Sequence, residues 1–253
     1  MQTRDTVNNV LNNVLKNVPF KNLIKTILFR PGEQERAVLT GALRGLRFRF
    51  NLRQSTQQWR GVHERLFQRW LSEYVEPGST CLDIGASDGY YTVLMANLAG
   101  PKGAVYAFEP SSQLCERIAY HVDLNGRKHD LAPVTVYDQF VGSETQQSDL
   151  LSVTVDSVVH NAPIGRVDAI KIDVDGAEAD VLRGASRTLE RFHPHLFVEV
   201  HSRDLLAEVQ HIASRYGYAL RLQNAAPYEH RPIELNAFLF SEGRGNRAIE
   251  LCR

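Results

Sequence analysis

The chain has 253 residues, of which 43% are hydrophobic and 23% charged, and its formal net charge is zero. This composition is typical of a globular protein with a full core. The sequence contains no run of about 18 apolar residues, which is the length that predicts a transmembrane helix. The three cysteines, Cys81, Cys115 and Cys252, are widely spaced and form no CxxC pair. They argue against a disulfide framework or a thiolate zinc site and fit a reducing cytoplasm.

The N-terminal segment is basic and amphipathic. Residues 1–60 carry 11 Lys and Arg against 3 Asp and Glu, and apolar residues recur at helical spacing over residues 6–29. A peripheral membrane contact through residues 6–30 is one interpretation. We favour packing on the domain, a lid or a homodimer contact, because basic solvent faces are common on such helices. The segment lacks the continuous apolar core of a signal peptide, so we expect a cytoplasmic protein.

Two short elements follow this segment. Residues 40–56 contain LRFRF, whose alternation predicts a short antiparallel or edge strand pair. Residues 64–74 predict a helix that ends before Pro77. We therefore divide the chain into an N-terminal extension, residues 1–58, and a main domain, residues 59–253.

From residue 80 onward, strands alternate with helices. Strands are predicted at 80–84, 104–108, 134–137, 169–172 and 196–200, helices near 90–99, 112–124, 177–192 and 204–216, and a final strand pair at 218–222 and 237–240. This order predicts an α/β fold with a doubly wound, mostly parallel seven-stranded sheet. Ligands of such sheets bind beyond the carboxyl ends of the strands.

The stretch CLDIGASDGYY, residues 81–91, is typical of a strand, a tight turn and a helix start. Glycine permits close approach, so we expect the N–H groups of Gly85, Ala86 and Ser87 to face a ligand. The dinucleotide fingerprint GxGxxG would need glycine where Ser87 stands. Asp83, just before the turn, would repel a pyrophosphate and suits an ammonium or sulfonium group.

A second acid follows the next strand. Glu109 lies 20 residues after Gly89, which is the spacing of an acid that accepts hydrogen bonds from a ribose diol. Together with Asp83 it implies an adenosine ligand with a positively charged tail, which is S-adenosylmethionine. The alternative is that each carboxylate only caps the helix that follows it.

These motifs resemble those of class I S-adenosylmethionine-dependent methyltransferases, and within them the FkbM family, named for hydroxyl methylation of a polyketide. The resemblance covers roughly residues 60–200 and is carried by LDIGASDGYYT, FEP, IKIDVDGAEADVLRGA and FVEVH. The sequence departs from the family at two positions. Ser87 stands where Asn is frequent, and Asp175 stands where the family has Glu, so its carboxylate is one methylene shorter.

The resemblance implies a Rossmann-like methyltransferase fold and a donor site. It places Asp83, Gly85 and Gly89 around the methionine portion of the donor and Glu109 at the ribose. Val141 and Gly142, within the segment Phe140-Val141-Gly142-Ser143, are expected beside the adenine. The sequence here has no sharp motif.

The reacting end is expected where two central strands finish. Asp173 follows the strand AIKI, and Glu199 and His201 share one face at the end of the next strand. We expect His201 to act as the base, with Asp173 or Glu199 orienting the acceptor hydroxyl. The alternative is a buried pair of Lys171 with Glu199, with His201 capping a helix.

Three further residues of the KIDVDGAE block, Lys171, Asp175 and Glu178, are assigned to substrate binding. A divalent metal on Asp173, Glu199 and His201 is a further alternative, because a bound metal lowers the pKa of an acceptor hydroxyl, but the spacing matches no metal motif, so no metal ligands are assigned.

The function predicted from the sequence is therefore transfer of a methyl group from S-adenosylmethionine to a hydroxyl oxygen of a small molecule, such as a sugar, a polyketide or another natural-product intermediate. A nicotinamide-dependent oxidoreductase and a catalytically silent adenosylmethionine-binding protein are the alternatives. Nucleic acid is not expected as a substrate, because the body of the chain is acidic and lacks an Asn/Asp-Pro-Pro-Tyr/Phe motif for a flipped base.

Overall fold

The computed structural model describes residues 31–147, 151–162, 164–200, 202–224 and 237–241. The chain divides into two compact units, Met1–Arg65 and Leu66–Arg253. The predicted helices of residues 6–29 and the side chain of His201 lie outside the described residues. Among the described helices none is long and apolar enough to cross a membrane.

The elements are numbered here in chain order. The strands are β1 Gln34–Ala37, β2 Arg47–Phe50, β3 Thr80–Ile84, β4 Ala104–Phe108, β5 Val134–Tyr137, β6 Phe140–Val141, β7 Gln146–Gln147, β8 Leu151–Val153, β9 Ala169–Ile172, β10 His195–Val200, β11 Leu220–Asn224 and β12 Ala237–Ser241. The helices are α1 Thr56–Arg60, α2 Arg65–Tyr74, α3 Tyr90–Ala99, α4 Ser112–Gly126, α5 Val155–Asn161, α6 Glu178–Arg183, α7 Ser186–Phe192 and α8 Arg203–Ser214.

The first unit contains a two-stranded antiparallel sheet, β1 with β2. Four residues of LRFRF, Arg47–Phe50, form β2, and its partner β1 lies before residues 40–56, where the strand pair is predicted. Phe48 and Phe50 are buried while Arg49 between them is exposed, which is the alternation that a strand with one covered face requires.

The second unit is built on a seven-stranded sheet with the order β11-β12-β10-β9-β3-β4-β5. Five of these strands are parallel to one another, namely β3, β4, β5, β9 and β10, and β12 runs antiparallel to both of its neighbours. Every residue of β3 and β9 is buried, as expected for central strands covered on both faces. The predicted α/β fold with a seven-stranded, mostly parallel sheet is confirmed.

The two faces of this sheet carry different side chains. Leu82, Ile84 and Ile172 belong to a large apolar cluster with residues of α5, α6, α7 and α8. On the other face, Phe197 of β10 stacks on Phe67 of α2 with ring centroids 3.9 Å apart. The chain order reverses between β3 and β9, so a crevice is expected at the carboxyl ends of these two strands.

One helix predicted from the sequence is in fact two. Residues 177–192 form α6 and α7, which are separated at Gly184. A Cβ at this glycine would lie 2.0 Å from the carbonyl oxygen of Gly142, and the Asp156 carboxylate accepts the N–H groups of Arg187 and Thr188 at the start of α7. The break is therefore set by residues distant in sequence.

Candidate active site

A cavity of about 450 Å³ lies at the carboxyl ends of β3, β4 and β9. Three carboxylates line it, those of Glu109, Asp173 and Asp175, and none of its described lining residues is Lys, Arg or His. Its apolar wall includes Phe108 and Val141. Because the charged lining is entirely acidic, the cavity favours a cationic ligand and disfavours a pyrophosphate.

The turn after β3 is shaped by a glycine. Gly85 has φ of +78°, and a Cβ there would lie 1.8 Å from the carbonyl oxygen of Asp173. Both the Gly85 and Ala86 N–H groups donate to the carbonyl oxygen of Phe108, each at 3.0 Å. The turn is therefore braced by β4 on one side and by the end of β9 on the other.

Glu109 links this turn to the next helix. Its Oε2 accepts the N–H of Ser87 at 2.9 Å, and its Oε1 accepts the N–H of Ser111, the N-cap of α4, at 3.0 Å. A carboxylate can accept about four hydrogen bonds, so each oxygen retains a lone pair for a ligand. Glu109 lines the cavity, and it also stabilises the helix start.

These contacts correct one expectation. The N–H groups of Gly85, Ala86 and Ser87 are used inside the protein and do not face a ligand. Gly85 and Ser87 still line the cavity, whereas Ala86 is buried beside it. Gly89, with φ of +80°, is the N-cap of α3 and packs closely on Ile118, so its role is in shaping the turn.

Asp83 also differs from its expected role. Its side chain is fully buried, lies outside the cavity lining, accepts the hydroxyl of Thr92 at 2.6 Å and lies 3.1 Å from the Lys171 ammonium. Direct contact of this carboxylate with a ligand is therefore wrong. The capping alternative is also wrong in detail, because Asp83 binds a side chain of α3 and a cation of β9.

Of the residues assigned to the substrate, only Asp175 lines the cavity. Lys171 is buried at 3% exposure, and its ammonium donates to the carbonyl oxygen of Gly85 at 2.8 Å. Glu178 is fully buried at the start of α6. Substrate contact by Lys171 or Glu178 is thus not compatible with where their side chains lie.

The expected catalytic residues are only partly described. Asp173 lines the cavity with a third of its side chain exposed. Glu199 is buried on β10, one residue past Val198, which pairs with Ile172. It therefore lies level with Asp173 but outside the cavity lining. His201 lies outside the described residues, so its convergence with these acids stays a prediction. Within the described ranges no group of three His, Cys, Asp or Glu side chains could hold a metal ion.

At the other end of the cavity, Val141 is part of the wall, as expected for an adenine neighbour. Gly142 is not, because it packs against Gly184 and donates its N–H to the carbonyl oxygen of Val153. Phe140, which belongs to the segment expected beside the adenine, also lines the cavity, and so does Gln139, which no sequence motif indicates. Phe140 is 46% exposed. The amino-acid composition does not reveal that this aromatic ring is exposed beside the cavity.

The family model described as the methyltransferase FkbM domain matches residues 83–220, more than half of the chain. The chain belongs to this family. The predicted FkbM membership is confirmed.

One relative is similar to this chain at low sequence identity. The hexuronic acid methyltransferase AglP of Haloferax volcanii is 24% identical over 193 residues, which cover 66% of this chain and 79% of the relative. Two solved structures share the fold. Methyltransferase FkbM from Methylobacillus flagellatus KT has a TM-score of 0.54 at 20% identity, with 69% of this chain and 50% of that chain covered. M. jannaschii TYW2 in complex with AdoMet has a TM-score of 0.51 at 14% identity, with 84% and 86% covered.

This FkbM-family chain spans about half the length of the Methylobacillus protein. Those structural likenesses show the fold, and the predicted Rossmann-like methyltransferase fold is confirmed.

Proposed function

We propose that this protein transfers the methyl group of S-adenosylmethionine to a hydroxyl oxygen of a small molecule. The observation that carries the proposal is the wholly acidic charged lining of the cavity at the ends of β3, β4 and β9. The donor carries a sulfonium and an ammonium group, and a cavity of this charge would attract both.

The described residues fit this donor. A volume of about 450 Å³ is within the usual range for a small-molecule pocket. The remaining lone pairs of Glu109 suit a ribose diol, and Phe108, Phe140 and Val141 offer apolar surface to a purine. When bound, the donor supplies a methyl group on a positively charged sulfur, which a nucleophile can displace.

The protein would then have to place the acceptor and remove its proton. Asp173 is the described carboxylate best placed for this, because it lines the cavity at a strand end. It would accept a hydrogen bond from the acceptor hydroxyl and orient the oxygen towards the methyl carbon. We retain His201 as the proposed base, whereas Glu199, which is buried outside the cavity lining, is no longer proposed to contact the acceptor. The hydroxyl proton would pass to His201 as the oxygen bonds to the methyl carbon, while the carbon–sulfur bond of the donor would break and S-adenosylhomocysteine would be the leaving group.

For the acceptor we propose a sugar hydroxyl. The support is the relative from Haloferax volcanii, which is named a hexuronic acid methyltransferase. We also propose that the enzyme works in the cytoplasm, while a homodimer contact and a membrane contact through residues 6–30 stay predictions.

The test is methyl transfer from labelled S-adenosylmethionine to a panel of hydroxylated acceptors. The panel pairs each hexuronic acid with its neutral hexose, so that a carboxylate requirement is distinguished from recognition of the hydroxyls. Asp173→Asn should abolish transfer while donor binding persists, and Asp123→Asn, an exposed residue of α4, is the matched control. Donor binding with no transfer to any acceptor would favour a silent binding protein. Binding of NADH instead of the donor would overturn the proposal.

A further inference from the structure

A buried ammonium joins three parts of the site. The Nζ of Lys171 lies 2.8 Å from the carbonyl oxygen of Gly85, 3.1 Å from Asp83 Oδ1 and 3.4 Å from Asp173 Oδ2. The ammonium donates a hydrogen bond to the Gly85 carbonyl oxygen and lies within ion-pair distance of both carboxylates. With 3% exposure the ammonium is almost removed from water.

Each of the three acceptors belongs to a different structural part. Gly85 is the turn that borders the cavity, Asp83 is a fully buried residue of β3, and Asp173 is the carboxylate at the end of β9 that lines the cavity. Gly85 and Asp173 are also in direct contact, since a Cβ at the glycine would meet the Asp173 carbonyl oxygen. The ammonium therefore holds together two segments that border the cavity.

The charges around Lys171 come from several elements. Asp83 of β3 and Asp173 after β9 are within reach of the ammonium, Thr92 of α3 donates to Asp83, and Glu199 of β10 is buried one strand away, level with Asp173. A cation that only neutralised Asp83 would not need to contact the Gly85 carbonyl oxygen and the Asp173 carboxylate as well. Lys171 contacts both.

We propose that Lys171 is a positioning residue of the donor site. It holds the Gly85 turn and the Asp173 carboxylate in place at the border of the cavity, and it offsets the charge of Asp83 inside the sheet. This inference rests on the proposed function only in naming S-adenosylmethionine as the ligand, because the contacts themselves belong to the protein without it.

The single variant Lys171→Met is a poor test, because it leaves the Asp83 carboxylate buried without its cation, and an uncompensated buried charge is strongly destabilising by itself. The informative comparison is Asp83→Asn with the double variant Asp83→Asn/Lys171→Met. Asparagine still offers an oxygen to the Thr92 hydroxyl, and methionine fills a volume similar to that of the lysine stem. The two proteins differ only in the ammonium at residue 171.

We expect both proteins to fold, with melting temperatures within a few degrees of each other. The double variant should bind S-adenosylhomocysteine at least about tenfold more weakly than Asp83→Asn in calorimetry, because the Gly85 turn and the Asp173 carboxylate, which both border the cavity, have lost their common cation. Once an acceptor is identified, the kcat of the double variant should be lower than that of Asp83→Asn, while the KM for the acceptor changes little. Equal affinity and equal kcat in the two proteins would overturn the inference and leave Lys171 as a buried counter-ion.

A readout without any ligand separates this inference from the proposed function. Hydrogen exchange of the amides at residues 85–87 should be faster in the double variant than in Asp83→Asn, since the turn has lost its tether. If the wild-type protein bound no adenosylmethionine, the proposed function would fail, and the exchange result would still decide the positioning role. Unchanged exchange at these amides would count against it.

Discussion

Replacing Gly85 with alanine should damage the donor site through one backbone contact. The new Cβ would lie 1.8 Å from the carbonyl oxygen of Asp173, where real contacts are essentially never below 3.0 Å. The turn and the end of β9 must therefore separate by at least 1.2 Å, if the two atoms move apart directly. Such a shift would pull Gly85 away from Lys171 and from the carbonyl oxygen of Phe108.

The magnitude has two parts. Alanine at a positive φ costs about 1–2 kcal/mol, and forcing apart a packed contact costs about 1–3 kcal/mol more. We expect Gly85→Ala to lower the free energy of unfolding by about 2–5 kcal/mol. We also expect it to weaken S-adenosylhomocysteine binding by at least about tenfold, or about 1.4 kcal/mol, because Gly85 and Asp173 both line the cavity.

Gly217→Ala is the matched control. Gly217 has φ of +79°, nearly that of Gly85, but a Cβ there meets no heavy atom within 4 Å. It should lose only the conformational part, about 1–2 kcal/mol, and keep wild-type affinity. Urea unfolding and calorimetry measure both quantities. If Gly85→Ala behaved like Gly217→Ala in both, the contact between the turn and Asp173 would not constrain the site as described.

Two other predictions concern regions outside the cavity. Asp156→Ala should lower the free energy of unfolding by about 2–4 kcal/mol in urea, because its carboxylate accepts the N–H groups of Arg187 and Thr188 at the start of α7, while ligand affinity stays unchanged; a loss below about 1 kcal/mol would contradict this role. Burial raises the pKa of the Cys81 thiol, and the residue is fully buried, so iodoacetamide at pH 8 should modify it only in denaturant. Cys115 is partly exposed, but burial and the nearby Glu109 carboxylate raise its thiol pKa, so its slow labelling should speed up as pH rises towards that pKa. Peptide mass mapping checks both cysteines, and rapid native labelling of Cys81 would contradict its burial.

The sheet was predictable because its strands leave local signals. The strands at 80–84, 104–108, 134–137 and 169–172 were placed at the residues where the structure has them. Each is a short apolar run next to a helical pattern, and the sheet then follows from right-handed crossovers. The position of Glu109 at the cavity was also predictable, since the spacing of a βαβ unit fixes it.

The hydrogen bonds and ion pairs of the site were not predictable in the same way. Whether the Ser87 N–H meets a ligand or the Glu109 carboxylate depends on a contact across 22 residues. Whether Asp83 faces the cavity or Lys171 depends on a pairing between two strands 88 residues apart. The break between α6 and α7 depends on Gly142 and Asp156. Such contacts arise from packing, and a single sequence carries little trace of them.

The most direct test of the acidic cavity as the donor site is calorimetric titration of the wild-type protein with S-adenosylmethionine, with NADH and inorganic pyrophosphate as comparison ligands. We expect a single donor site, no binding of either anionic ligand, and clear weakening of donor binding in Glu109→Ala. Glu116→Ala, which removes a carboxylate of α4 outside the cavity lining, should bind like the wild type. Absence of donor binding, or tight binding of pyrophosphate, would contradict the acidic cavity as the donor site.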